Sequence, residues 1–373
     1  MIGAVFMRDE YKNIFRVAGI YAASITGAGF ASGQEIMQFF SAYETGGFYG
    51  ILLAGILFST VGCIVLNKVR SERIRNFEEF IFPVFGWHAG WVIETAATVF
   101  IFCMYSIMTA GSGKILSQMT GIPFRTAVFI MGIISAIFIM TDIKGIAVLS
   151  SVLTPILIAG IILTGLYIVV MRDSPVFSVS AYLSHITGNW FFSSLLYVSY
   201  NSIIAVMMMC TVLPYLKTRR TAAAAGILGG AALTLAALAI NTVIFLFLSS
   251  SMETEIPVID ILQSINASAG RLYSVLLWIA MLVSAVTSGF CFTERIGSLI
   301  RVNKRVTALL LCVAAVPLST LGFSRLISLV YPAFGFLGLF MVIVILITGV
   351  QMLMPGPEHK GRRGKRRLRA GGE

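Results

Sequence analysis

The chain has 373 residues, of which 58% are hydrophobic and only 12% charged, with a mean hydropathy of +0.92. A soluble domain carries about twice that charged fraction, so water-soluble globular classes are excluded. Apolar runs of about 20 residues between short polar connections read as an all-α polytopic membrane protein. The net charge of +11 raises nucleic acid as a partner, but the charge placement removes it.

Ten spans are predicted, at 14–42, 47–67, 91–113, 125–141, 145–171, 189–214, 221–249, 272–294, 306–323 and 326–354. Residues 1–10 lack the apolar core and small-residue cleavage site of a signal peptide, so span 1 is expected to persist. Ten spans put both termini on one side, which receives 22 of the Lys and Arg residues. These are Arg8, Lys12, Arg16, then Lys68, Arg70, Arg73, Arg75, Lys144, Lys217, Arg219, Arg220, Arg295, Arg301, Lys304, Arg305 and the tail "KGRRGKRRLR". The other side receives five: Lys114, Arg125, Arg172, Arg271 and Arg325. The positive-inside rule places both termini in the cytoplasm of a cell-membrane protein and reads the basic charge as topology. The tail at 355–373 is expected to be disordered, either anchoring span 10 or meeting anionic lipid. Outer connections at 172–188 and 250–271 are long enough for short surface helices, and "RNFEEFIFPVFGW" fits the interface.

Span 1 contains "SITGAGFASGQEI", with Gly27, Gly29 and Gly33 followed by Glu35. Glycine loosens a helix and an ionisable group in lipid is costly, so this stretch is expected to break the helix at mid-membrane. "LYVSYNSI", Leu196 to Ile203, stands at the corresponding place in span 6 about 170 residues later. Such a shift carries spans 1–5 (14–171) onto spans 6–10 (189–354), a 5+5 inverted repeat because five is odd. Paired breaks in inverted halves point to a transporter binding site.

The first half-helix would end near Ser24 to Thr26 with free carbonyls for a cation or ammonium. The second would begin near Ala31 with free amides for a carboxylate. A zwitterion matches both ends. The alternative is that the glycines are close-packing points between helices. Tyr197, Ser199, Tyr200 and Asn201 would line the pocket from span 6. Glu35 either titrates and couples protons or pairs with an outer arginine or backbone amides. Glu94 suits the first turn of a helix, and Glu294 an ion pair with Arg295. The five cysteines read as packing residues, and His88, His185 and His359 form no metal-ligand cluster.

The stretch "VAGIYAASITGAGFASGQEIMQFF" resembles the YkvI family of bacterial membrane proteins. The architecture more distantly resembles the amino acid–polyamine–organocation superfamily with the LeuT-type fold, and the "GAG" is similar to that of branched-chain amino acid:cation symporters. The LeuT-type resemblance implies that Gly27 and Gly29 border the substrate. It implies a Na⁺ site from the carbonyls of Ala23 and Thr26 with Ser284, Thr287 and Ser288 of "SAVTS", and places Tyr105 near the substrate carboxylate. Phe30 replaces an Asn of sodium-coupled relatives, which argues against a further Na⁺ site. Span 5 has no lysine of the kind found in proton-coupled relatives. The resemblance implies Na⁺-coupled symport of an amino acid or related small zwitterion, with Na⁺ as coupling ion and no other cofactor. Its rival is a nutrient sensor of germinant-receptor type. No nucleophile–base pair or phosphate loop marks an enzyme.

Overall fold

The computed structural model describes residues 2–140, 156, 159–168, 170, 188–247, 254–300 and 303–353. The connection at 172–187, most of span 5 and the tail at 355–373 lie outside the described residues.

Span 1 is three pieces: α1 (Ile2–Ile25), α2 (Ala28–Ala31) and α3 (Gln34–Phe39). It is followed by α4 (Thr45–Glu72), α5 (Phe77–Thr120), α6 (Phe124–Met140) and α7 (Ala159–Ile168). The second half contains α8 (Trp190–Thr211), α9 (Arg219–Leu246), α10 (Pro257–Ile265), α11 (Ala267–Ile300), α12 (Lys304–Ser319) and α13 (Phe323–Leu353). Six of them, α4, α5, α8, α9, α11 and α13, are long and apolar enough to cross a membrane. No strand occurs among the described residues.

The first helix of the interface stretch starts on a reciprocal cap. Asn76 Oδ1 accepts from the Glu79 amide at 2.8 Å while the Glu79 carboxylate accepts from the Arg75 amide at 2.7 Å, satisfying amides that a helix start leaves open. Gly86, at φ 75°, turns the chain into the long membrane segment of α5. Trp87 and Trp91 follow that turn, both exposed, a placement that suits tryptophan at a membrane interface.

The helices sort into two packed groups. α1, α4, α8 and α9 form one; α5, α6, α11 and α12 form the other; α13 touches both through α8 and α5. The first is held by close backbone approach. A side chain on Gly226 would meet the backbone of Gly62 and Cys63, so α4 and α9 approach backbone to backbone at this point, the small-residue packing that serves helices in lipid. Tyr21 of α1 donates to the Phe58 carbonyl of α4 at 2.8 Å. Large apolar side chains such as Phe15, Leu272 and Val313 point outward, more than two-thirds exposed, as lipid requires.

One expectation is corrected. Span 6 is not broken: α8 runs continuously through Leu196–Ile203. It contains no glycine or proline, and its polar side chains bond back to their own helix. Ser199 Oγ donates to the Leu195 carbonyl, Asn201 Nδ2 to Tyr197 and Ser202 Oγ to Val198, at 2.6, 3.0 and 2.7 Å. Polarity that looked like a break is satisfied one turn away.

Candidate solute and ion site

The interruption in span 1 is built from its sequence. Thr26 folds its hydroxyl back onto the Ala22 carbonyl at 2.8 Å, and the Gly27 amide turns to the Ile25 carbonyl at 2.7 Å. Gly27 is extended, and α2 follows as one turn, starting at Ala28 rather than near Ala31. A second interruption comes at Ser32–Gly33. Gly33 lies in the left-handed region at φ 83°, where a side chain would also meet Val258 and Ile244. Ser32 bridges this turn, donating to the Gly29 carbonyl at 2.6 Å and accepting from the Gln34 amide at 3.2 Å.

Around the first interruption, the carbonyls of Ala23, Ser24 and Thr26 accept no hydrogen bond among the described residues. Such orphan carbonyls at a helix end require another partner. Ala23, Ser24 and Gly27 are partly exposed, and nothing lies within 4 Å of where a Gly27 side chain would begin. On α11, Ser284 and Ser288 are half-buried and Thr287 is exposed, its hydroxyl turned to the Val283 carbonyl at 2.8 Å. α11 packs on α2 but not closely on α1, so the expected cation ligands before the interruption and those on α11 lie on elements that are not packed together.

Glu35 occupies the other side of the interruption. It is 3% exposed, and its carboxyl folds back over Gly29, where even a methyl group would collide with Oε1. Gly29 therefore makes room for a side chain of its own helix. Tyr200 of α8 donates to Glu35 Oε2 at 2.8 Å. Tyr331 of α13 stacks on Tyr200 with ring centroids 4.5 Å apart. Its hydroxyl is near enough to interact with the same carboxyl but short of hydrogen-bond geometry. Tyr197 completes the group, packed edge-on against Phe40 and Phe58, its buried hydroxyl without a partner.

The other expected site residues go elsewhere. Tyr105 commits its hydroxyl to Ser135 of α6 at 2.7 Å, between α5 and α6 rather than at the interruption. Ser24 donates to the Tyr21 carbonyl at 2.7 Å. Ser199 and Asn201 serve their own helix, as described. Glu94 is no simple helix-start charge: it pairs with Arg295 of α11. Tyr331 and Tyr273, which donates to the Ala31 carbonyl at 2.8 Å, were not anticipated. Each is a lone tyrosine in an apolar span, a weak signal by itself.

On the side opposite the termini the interruption is covered. The Val258 amide of α10 donates to the Ser32 carbonyl at 3.3 Å, with Pro257, Val258, Ile259, Ile261 and Leu262 buried. This is the short helix expected within 250–271. Glu255 ties its start down, accepting from Lys114 Nζ at 3.2 Å and from the Phe323 amide at 3.1 Å. Asp260 on α10 is less comfortable. Burial raises its carboxyl pKa above the usual range, against a hydrogen bond from Thr254 and the charge of Lys114. A carboxyl protonated more readily when folded contributes stability at low pH that fades as pH rises through its folded pKa. Asp260→Asn should therefore hold α10 more firmly at neutral pH, read as slower amide hydrogen exchange in 257–265. Unchanged exchange would show that the lid does not feel this charge.

No protein-family model matches the chain. Two Bacillus subtilis proteins, both described as uncharacterized, are similar along almost their whole lengths. The membrane protein YkvI is 23% identical over 340 residues, covering 89% of this chain and 95% of its own. YyaD is 26% identical over 324 residues, covering 87% and 93%. Among solved structures, the inward-facing conformation of Mhp1 superposes with a TM-score of 0.61 at 16% identity, covering 89% of this chain and 75% of that one. The fold is the LeuT-type fold. An Eremococcus coleocola manganese transporter (TM-score 0.58, 15% identity, 88% and 77% covered) and a Na⁺-coupled sialic acid symporter (0.54, 14%, 89% and 78%) share it. These neighbours are transporters rather than enzymes. With six membrane-length helices and a relative named as a membrane protein, the chain is a multi-pass membrane protein resembling the YkvI-like proteins.

Proposed function

We propose that this protein is a secondary active transporter of the cell membrane, moving an amino acid or related small zwitterion with Na⁺ by alternating access, both termini cytoplasmic. Its helices are organised as a 5+5 inverted repeat in which span 1 of the first half is interrupted. The observation that carries this reading is the interruption at Thr26–Gly27, with orphan carbonyls at a partly exposed helix end while α10 seals the opposite side. Backbone left unpaired inside a membrane protein requires a cavity or a ligand.

A sealed far side with α1 standing away from α11 corresponds to a conformation open towards the termini. The two half-shells, carbonyls of Ala23 and Thr26 and hydroxyls of Ser284, Thr287 and Ser288, would close on Na⁺ when α1 swings to α11. The substrate ammonium would meet the carbonyls at Ser24–Thr26, with Gly27 leaving it room and Tyr197 and Tyr200 bordering it.

The test is uptake of a labelled amino acid mixture into proteoliposomes with and without an inward Na⁺ gradient. Thr287→Ala/Ser288→Ala should raise the Na⁺ concentration needed for half-maximal uptake roughly tenfold, about 1.4 kcal/mol of lost coordination. Uptake that ignores Na⁺ would remove this cation site. No uptake, with thermal stabilisation by amino acids, would replace the transporter with a sensor.

A further inference from the structure

We propose that Glu35 is a proton-binding site, and that its charge decides whether α3 stays docked on α8 and α13. The inference deepens the transporter reading by naming a second coupling ion at the interruption.

Among the described residues the carboxyl has no counter-charge. The groups facing it are Tyr197 and Tyr200 from α8, Tyr331 from α13, Gly29 from α2 and Met108 from α5, with Phe100 behind Tyr200. α9 meets the segments on either side of α3, Asn241 accepting from Ser41 at 2.8 Å and Ile240 and Ile244 lying against Gly33. α10 meets the Ser32–Gly33 turn through Val258. No lysine, arginine or histidine among the described residues pairs with Glu35. A lone anion so buried is unfavourable and is relieved by taking up a proton or by admitting water.

Other cations fit poorly. A divalent metal wants six or more oxygens around it or a cluster of side-chain ligands, and no group of three or more His, Cys, Asp and Glu occurs among the described residues. Packing is also tight: Oε1 lies on Gly29 and Oε2 holds Tyr200. A cavity beside Tyr197, lined by Phe30, Phe40 and Phe58, measures about 10 Å³, room for one water at most. A proton needs no volume.

The location gives the proton work to do. Glu35 is on the half of span 1 beyond the interruption, and its phenol partners are on α8 and α13, helices packed closely on each other. Protonated, the carboxyl is a neutral group satisfied among phenols, and α3 stays docked. Deprotonated, it is an uncompensated charge that favours the conformation in which water reaches it. The proton would enter from far-side water onto a Glu35 oxygen and leave towards the terminal side, with no covalent bond other than its own O–H made or broken.

Two measurements on protein reconstituted in liposomes test this. Infrared difference spectra stepped through pH should show a protonated-carboxyl C=O band that fades as pH rises. The band should be absent in Glu35→Gln, and Tyr200→Phe should move its midpoint. Wild type and Glu35→Gln giving the same spectra at every pH would overturn the proposal, whether or not solute is transported. In uptake of the labelled amino acid mixture driven by a pH gradient, Glu35→Gln should accumulate about tenfold less, a usual size for coupling between two sites. Solute exchange without a gradient should persist in that variant. Undiminished pH-driven accumulation in Glu35→Gln would overturn the coupling role while leaving the transporter reading in place. Neither uptake nor exchange in wild type would remove the transporter reading, and the carboxyl band would then support the proton site alone.

Discussion

Gly29→Leu should reduce amino acid uptake tenfold to a hundredfold without unfolding the protein. The space above Gly29 is filled by Glu35 Oε1, with Met108 Cε 3.4 Å from where a first side-chain carbon would sit. A leucine there displaces the carboxyl from Tyr200, and leaving a buried polar group without its partner costs roughly 1–3 kcal/mol, about a fivefold to 150-fold effect. Overpacking adds a stability cost of about 1–3 kcal/mol. Gly19→Ala is the control: nothing lies within 4 Å of that site, so alanine there should raise helix stability slightly. A double-mutant cycle sharpens the test. Gly29→Ala should destabilise wild type but cost little in a Glu35→Ala background, where the colliding atom is gone. Equal costs in both backgrounds, measured by thermal unfolding in detergent, would show that Gly29 is small for another reason, such as approach of a substrate.

The expected role of this glycine and its found role differ in an instructive way. The sequence announced that span 1 could not be an ordinary helix, because glycine clustering and a carboxylate in lipid are local properties. Which atom uses the room at Gly29 depends on a side chain folding back from six residues later, and no periodicity encodes that. Spans were legible for the same reason the break was: apolar runs are properties of short windows, and six of the ten expected spans fall on helices long and apolar enough to cross a membrane. Span 6 misled because Ser199, Asn201 and Ser202 read as a polar interruption. Their partners are carbonyls four residues back in their own helix. Tyr105 is placed near the substrate only by the LeuT-type resemblance, which does not specify the helix face that delivers its hydroxyl to Ser135. Tyr331 lies about 300 residues from Glu35 in the chain, so its place beside that carboxyl is purely tertiary.

Removing Arg295 should destabilise the protein more than removing its partner. Glu94 and Arg295 join α5 to α11 within the second helix group, with side chains 6% and 18% exposed. Arg295→Ala strands a buried carboxylate whose second oxygen already lacks a hydrogen bond, and breaking a buried pair in this way costs about 3–5 kcal/mol. Glu94→Ala leaves a less buried guanidinium that still feels Glu78, so its cost should fall well below that range. Replacing both by apolar residues of similar volume, Glu94→Leu with Arg295→Met, should recover most of the loss, because desolvation of both ions disappears with their attraction. Thermal unfolding of the four proteins at one pH decides it. If both single variants lose equally and the double loses the sum, the pair contributes nothing specific. If the double is stable but uptake fails, the pair serves the transport cycle by fixing α5 against α11, the frame from which α1 must move.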